Sequence, residues 1–360
     1  MQSLISPFTR TPGVAGKAFI ETHFSEEIIA NFESDESYKY VYKIVGLRGS
    51  GKSVEYSRVM EHFRQKENWL VYALSAGGNP LSTLIAMLSR EPFIDERQHS
   101  TSIRTSGVLG GSTAILSANL SAEKTVSSAD NAHYYSDEAA FREMLSKASE
   151  NGYRILIGVD DIARSDDMVR FLSILGAVLM EKGTDVRFIC TGLSKNIEDF
   201  VSLPHLSFFV RNESIVMKPL DLHAIVHQYR ELLHATREEA VALARFTEGY
   251  AYAYQVLGEL CFKAGKNEID EKMENDFDDA MAPQYDLIWS TLTDAEQELV
   301  KIIVNSSSGS VSEIKEKMQK PAGFASLRDR LMKKHLLLAK SRGVVSVPLP
   351  RFKEYVEIWQ

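Results

Sequence analysis

The run Gly46-Leu47-Arg48-Gly49-Ser50-Gly51-Lys52-Ser53 is an unbroken G-x-x-x-x-G-K-[ST] pattern. Glycines at these spacings let successive backbone N–H groups turn inward around a phosphate. Lys52 can then reach the outer phosphates of a triphosphate, and the Ser53 hydroxyl can ligate Mg²⁺. The flanks agree. Tyr40-Val41-Tyr42-Lys43-Ile44-Val45 is an apolar, β-branched strand signal, and Ser53 to Met60 can run as a helix. The loop would join a strand to a helix N-terminus, whose partial positive charge favours an anion. All eight residues from Gly46 to Ser53 are expected to line a nucleotide site, with Lys52 also catalytic.

Such a loop needs an acid to hold the metal. Leu156-Ile157-Gly158-Val159-Asp160-Asp161 ends an apolar strand with two carboxylates. In a parallel sheet the carboxyl ends of the strands form the ligand edge. Asp160 is expected to hold Mg²⁺ beside Ser53, and Asp161 to orient and deprotonate the attacking water. Aspartate is one methylene shorter than the glutamate many fast ATPases carry here, so slow turnover is expected.

Phe188-Ile189-Cys190-Thr191-Gly192-Leu193 supplies a neighbouring strand end. Two readings of Thr191 and Ser194 stand side by side: a catalytic sensor of the γ-phosphate, or a polar strand terminus. Arg211, in Phe208-Phe209-Val210-Arg211, also has two. One is an arginine presented in trans to the γ-phosphate of a neighbour in a homo-oligomer, where such a finger is worth roughly 10³–10⁵ in rate. The other is an intramolecular ion pair. His223 and His227 sit four apart on a helical stretch with no third ligand, and read as surface or packing residues. Cys190 reads as core.

With 360 residues the chain has room for two or three domains. Its 44% hydrophobic and 25% charged content is that of a soluble globular protein. Cys190 and Cys261 lack metal-ligand spacing, which points to a reducing cytoplasm. The opening residues lack the basic and apolar regions of a signal peptide. The longest strongly apolar run, Phe171 to Met180, is too short to span a bilayer, so no membrane partner is expected.

Strand signals at 40–45, 69–74, 154–159, 186–191 and 214–217 alternate with helical stretches. Near-continuous apolar strands of this kind form a parallel sheet with helices on both faces. The expected fold class is therefore α/β, a phosphate-loop sheet followed by an all-α unit. A core over 1–218 carries an insertion at 91–137, read as flexible or a small hairpin. About half the residues between Ser100 and Asp130 are Ser, Thr or Gly, too few apolar side chains to bury a core. A helical lid is expected over 219–284, capped by Asp221 after Pro219, and a third unit over 285–360.

The phosphate loop, the Asp160-Asp161 strand, the Cys190-Thr191-Gly192 strand end and Met217-Lys218-Pro219-Leu220 occur together here with Thr247-Glu248-Gly249-Tyr250-Ala251-Tyr252-Ala253-Tyr254. In this combination the chain resembles bacterial ATP-binding proteins of the AAA+ and STAND-related branch. It is similar in layout to archaeal origin-recognition ATPases. The resemblance covers nearly the whole chain and implies ATP and Mg²⁺ as ligands, an ATPase core, a lid and a C-terminal winged helix. Two departures stand out. The usual AAA+ lid has an arginine sensor a few residues past a glycine like Gly249, where this chain offers Tyr252 and Tyr254. STAND-type lids often carry proline where Ala251 stands.

Residues 293–360 read as that winged helix. Thr293 and Glu296 form a capping box. Val311 to Met318 is the second helix, Phe324 to Lys334 the recognition helix and Val344 to Val347 part of a wing. From Glu313 to Arg342 there are nine Lys or Arg against three Asp or Glu, which leaves −14 on the rest of a chain whose net charge is −8. An acidic body with a basic module suits attraction to nucleic-acid phosphates. Arg328, Arg330, Lys333, Lys334, Lys340 and Arg342 are the candidate contacts. Two functions stay open: a slow ATPase whose nucleotide state controls DNA binding, and a STAND-like switch acting on protein partners without nucleic acid.

Overall fold

The computed structural model describes residues 5–94, 137–181, 184–201 and 203–360. The insertion expected at 91–137 falls almost wholly outside them. Strand β1 (Val41–Val45) is buried at all five positions and lies inside a five-stranded sheet. Its partners are β2 (Trp69–Leu74), β3 (Arg154–Val159), β4 (Val186–Gly192) and β5 (Ser214–Val216), in the order β2-β3-β4-β1-β5. Every neighbouring pair is parallel. Alternation divides the side chains between two cores, as a pleated strand requires. Phe188 and Cys190 of β4 face α3 (Pro80–Leu88), α4 (137–150) and α5 (Asp166–Val178). Ile189 faces α1 (Phe24–Glu33) and α2 (Lys52–Arg64).

Lys43 breaks the apolar run of β1. It is buried, opposite Cys190, and burial holds its ammonium below its ordinary pKa. It donates to the Phe209 carbonyl at 2.5 Å and lies over that ring. A buried cation is tolerated when it is hydrogen-bonded in this way.

After β4 come α6 (Ser194–Val201) and the short α7 (Ser207–Arg211), and beyond β5 the chain turns wholly helical. Asp221 caps α8 (Leu222–Leu233) by accepting from the Ala224 N–H at 2.9 Å. A Thr236–Glu239 capping box starts α9 (Arg237–Phe246), and α10 (Ala251–Ala264) and α11 (Glu271–Trp289) follow. The boundary expected between 284 and 285 lies inside α11. Pro283 removes one hydrogen bond there, but buried Met281, Tyr285, Ile288 and Trp289 anchor the helix on both sides. Tyr285 and Trp289 pack on Phe352 and Tyr355 of the terminal unit, so lid and terminal unit share one apolar core.

That unit contains α12 (Asp294–Val304), α13 (Val311–Lys317), α14 (Phe324–Lys333), an antiparallel wing of β6 (Leu338–Ser341) and β7 (Val344–Ser346), and α15 (Phe352–Trp359). At the other end, residues 5–23 form a strap that joins the lid to the core. Phe8 is buried against Tyr229 and Tyr254, and the Tyr254 hydroxyl donates to the Ala18 carbonyl at 2.9 Å. On the core side, buried Glu55 of α2 accepts from the Thr22 hydroxyl and the Ser25 N–H. Among the described residues no helix is long and apolar enough to cross a membrane.

Candidate functional site

The phosphate loop connects β1 to α2. Gly49 and Gly51 have φ of 73° and 96°, in the left-handed region that glycine enters freely. Gly49 is also hemmed in, since a Cβ there would stand 2.4 Å from the Tyr250 hydroxyl oxygen. Lys52 is 8% exposed and donates to the Gly46 and Leu47 carbonyls at 3.1 and 2.8 Å. Burial pulls its pKa down to about 8, with Asp161 opposing the shift and Arg48 adding to it.

The sheet brings the acids to this loop. Register places Val159 beside Cys190, and Gly192 beside Val45. The ends of β3, β4 and β1 therefore converge. Ser53 Oγ donates to Asp160 Oδ1 at 3.1 Å. Two hard oxygens at this spacing match adjacent corners of a Mg²⁺ octahedron, whose 2.0–2.1 Å bonds put neighbouring ligands about 3 Å apart. The pair expected to hold the metal thus fits it.

Thr191 sits between the two acids. It is buried, its Oγ1 donates to Asp160 Oδ1 at 2.5 Å and accepts the Asp161 N–H at 2.8 Å. Its proton is used on Asp160, and it fixes the positions of the two acids. The anchored N–H helps hold Asp161 at φ 53°. The Asp161 carboxylate is half exposed and pairs with Arg48 at 3.7 Å.

A cavity of about 420 Å³ opens over the loop. It is walled by the loop, by Asp160, Asp161 and Thr191, by Tyr252 and Gln255 of the lid, and by strap residues Thr11 to Gly16. The strap was not anticipated from sequence. Its signal is the turn-rich Thr11-Pro12-Gly13, with Gly13 at φ 73°. Tyr250 was missed too. Its hydroxyl donates to the Arg48 carbonyl at 2.5 Å, the Tyr252 N–H donates to the Gly49 carbonyl at 3.0 Å, and Gln284 donates to the Tyr250 hydroxyl. The lid grips the phosphate loop through backbone carbonyls. Tyr254 points instead into the core beside the strap.

Arg211 is exposed at the end of α7, three residues before Ser214, whose partner on β1 is Lys43. That places it toward the edge of the sheet opposite its own phosphate loop. It makes no ion pair with any described residue. His223 and His227 are both exposed on α8. Cys190 is buried, and its thiol is pushed up to about 12.

The cations of the terminal unit are scattered among different tasks. Lys334 is 16% exposed on its side chain and donates to buried Glu296 at 2.7 Å and to the Thr291 carbonyl. Arg330 lies 3.7 Å from the same carboxylate, and Arg328 pairs with Asp329. Lys333 reaches across to Glu198 of α6 at 3.5 Å. Lys340 and Arg342 are exposed on the wing. Beside Lys333's contact, His335 Nε2 lies 2.7 Å from the Ser194 hydroxyl at the start of α6. Burial and the charge of Lys52 both hold this imidazole below its ordinary pKa.

No protein-family profile and no curated protein matches the sequence. Solved structures do match. A Walker-type ATPase of Pyrococcus abyssi, PABY2304, is similar at TM-score 0.65 and 13% identity, over 98% of this chain and 99% of that one. The ORC2 protein of Aeropyrum pernix, in ADPNP and ADP complexes, is similar at TM-score 0.51 and 11% identity, over 99% and 95%. At such identities the likeness is one of fold: an α/β phosphate-loop sheet with helical lid, in the layout of AAA+ and origin-recognition ATPases.

Proposed function

We propose that this chain is an ATP-dependent switch in which the nucleotide bound at 46–53 decides whether the winged helix stays seated on the ATPase core or is released to bind DNA. One observation carries the reading. The strand end that completes the phosphate site, Thr191 to Ser194, is also where the winged helix rests, through His335 on Ser194 and Lys333 beside Glu198. A change at the phosphates is therefore a change at the docking seat.

In this reading the triphosphate draws Lys52 from the Gly46 and Leu47 carbonyls to phosphate oxygens, while the base sits between the strap and Tyr252. Ser53 and Asp160 would hold Mg²⁺, which neutralises charge on the β- and γ-phosphates. Thr191 keeps Asp160 aimed. Asp161 orients water, but it is short, half exposed and already paired with Arg48, which makes turnover slow. Preference for adenine comes from the family resemblance.

The test is anisotropy of labelled duplex DNA with full-length protein loaded with ADP or a non-hydrolysable ATP analogue, over a salt series. The triphosphate state should bind more tightly. Four available cations (Arg328, Lys333, Lys340, Arg342) give a log–log salt slope of about −3 to −4. No salt-dependent binding in either state would remove DNA as the output. A second reading, a protein-directed switch, is favoured by the internal engagement of Lys334 and Arg330 on Glu296. It calls for a nucleotide-dependent change of mass in light scattering, without DNA.

A further inference from the structure

We infer that Arg48, the third residue of the phosphate loop, contacts the γ-phosphate of its own chain and is the charge that stabilises the transition state of hydrolysis. The inference rests on the reading of residues 46–53 as an ATP site and adds the residue that makes that site complete within one chain.

Arg48 lines the cavity together with Lys52, Asp160, Asp161 and Thr191. A guanidinium carries five N–H donors in a planar fork suited to phosphate. None of the five makes a hydrogen bond to a described residue. Its Nε is buried and without a partner, which is costly unless an acceptor arrives. Its one ion pair, to Asp161 at 3.7 Å, is longer than a hydrogen bond. This pair locates the head group. In the proposed reading Asp161 is the carboxylate that orients the attacking water, so a guanidinium beside it stands on the γ-phosphate side of the loop.

The backbone of Arg48 is held as well. The Tyr250 hydroxyl donates to its carbonyl, and the Tyr252 N–H donates to the next one. Thus the lid contributes no charge of its own but fixes the residue that does. Arg211, by contrast, ends α7 and precedes β5, whose first residue pairs with Lys43 of β1, and it does not line this cavity.

When the triphosphate enters, Arg48 moves from Asp161 to the γ-phosphate oxygens. The freed carboxylate then accepts a proton from water. The water oxygen forms a bond to γ-phosphorus, and the bond from γ-phosphorus to the β–γ bridging oxygen breaks. That electron pair leaves on ADP, and the proton passes from Asp161 to solvent. Arg48 offsets the charge that builds on the equatorial oxygens.

The experiment compares full-length wild type with Arg48→Ala, Arg48→Lys and Arg211→Ala. It measures binding of fluorescent ADP, binding of a non-hydrolysable ATP analogue, and single-turnover hydrolysis over a wide range of protein concentration. Arg48→Ala should keep its ADP affinity within about threefold, lose about tenfold for the ATP analogue, and hydrolyse about 100-fold more slowly, the scale of losing one preorganised donor. Arg48→Lys keeps the charge without the fork and should fall between. Wild-type turnover per chain should not depend on concentration, and Arg211→Ala should change it less than twofold. Undiminished hydrolysis in Arg48→Ala with intact binding overturns the inference, and faster hydrolysis shows that Arg48 restrains Asp161 instead. Concentration-dependent turnover that is lost in Arg211→Ala overturns it in favour of a finger in trans. Failure of wild type to bind either nucleotide overturns both this inference and the reading of the site beneath it.

Discussion

The phosphate loop and the helix α14 both carry cations, and their cations are treated in opposite ways. In the loop, Lys52 is buried on backbone carbonyls with its pKa drawn down to about 8, and the donors of Arg48 have no acceptor. On α14 and just after it, Lys334 and Arg330 share Glu296, and Lys333 faces Glu198. The loop holds Lys52 on backbone carbonyls that a phosphate can replace and leaves the buried Nε of Arg48 without a partner, a cost that an anion would relieve. The helix distributes its cations over carboxylates it already possesses. A cluster of positive charge is thus evidence of a ligand only where its donors are left over.

The sharpest way to break that contrast is to remove the loop's charge. Lys52→Ala and Asp160→Asn should each slow ATP hydrolysis by about 10²–10³-fold, measured as phosphate release. Lys52→Ala should leave the urea midpoint unchanged or raised, because a buried, desolvated ammonium is lost from the unliganded fold. The helix should behave in reverse. Glu296→Ala removes a buried carboxylate that also accepts the Thr293 N–H at 2.9 Å, and strands Lys334. It should cost about 2–4 kcal/mol in urea unfolding while nucleotide affinity stays the same. Arg330→Ala, half exposed and 3.7 Å from its partner, should cost under about 1 kcal/mol. If Glu296→Ala proves neutral, the helix cations are not committed internally and the contrast fails.

The same contrast explains what could be read from sequence. The phosphate loop, its flanking strand and helix, and the Asp160-Asp161 strand end were all legible, because backbone geometry and strand polarity fix where such residues go. The capping box at Thr293 and the buried strands belong to the same local physics. Illegible were the contacts between distant segments. Thr191 was left between a sensor and a polar strand terminus because nothing local shows that its hydroxyl lies between two acids brought in by the adjacent strand. The strap and Tyr250 were missed because they reach the site from 30 or more residues before the loop and 200 after it. The basic count between Glu313 and Arg342 could not show pairing for a related reason. Net charge says how many cations there are, and only tertiary structure says which carboxylate each has found.

A smaller effect should follow from pH. With its pKa lowered to about 8 in the empty site, Lys52 is charged below that value and increasingly neutral above it. Bound phosphates favour the charged form and restore the proton. ATP affinity should therefore fall as pH rises from about 8 toward 10.5, by at most tenfold per unit, with proton uptake on binding. Calorimetry in buffers of different ionisation heat checks the sign. Proton release in that range would mean the empty loop does not depress Lys52, and one side of the contrast would be lost.

The smallest expected change concerns the carboxylate between the two arginine readings. Asp161 is anchored by its N–H on Thr191, so the reach of its side chain is set by length alone. Asp161→Glu adds one methylene and carries the oxygens toward the γ-phosphate and away from Arg48. If the short carboxylate limits turnover, hydrolysis should rise a few-fold, on the order of 1 kcal/mol in barrier. Nucleotide affinity should be unchanged, since Asp161 is not placed as a phosphate ligand. A fall in rate with intact binding would mean that the Arg48–Asp161 spacing is already matched to the water, and that the chain is slow for another reason. Combining Asp161→Glu with Arg48→Ala decides between these, because a guanidinium that only restrains Asp161 has nothing left to lose once the carboxylate has moved out of its reach.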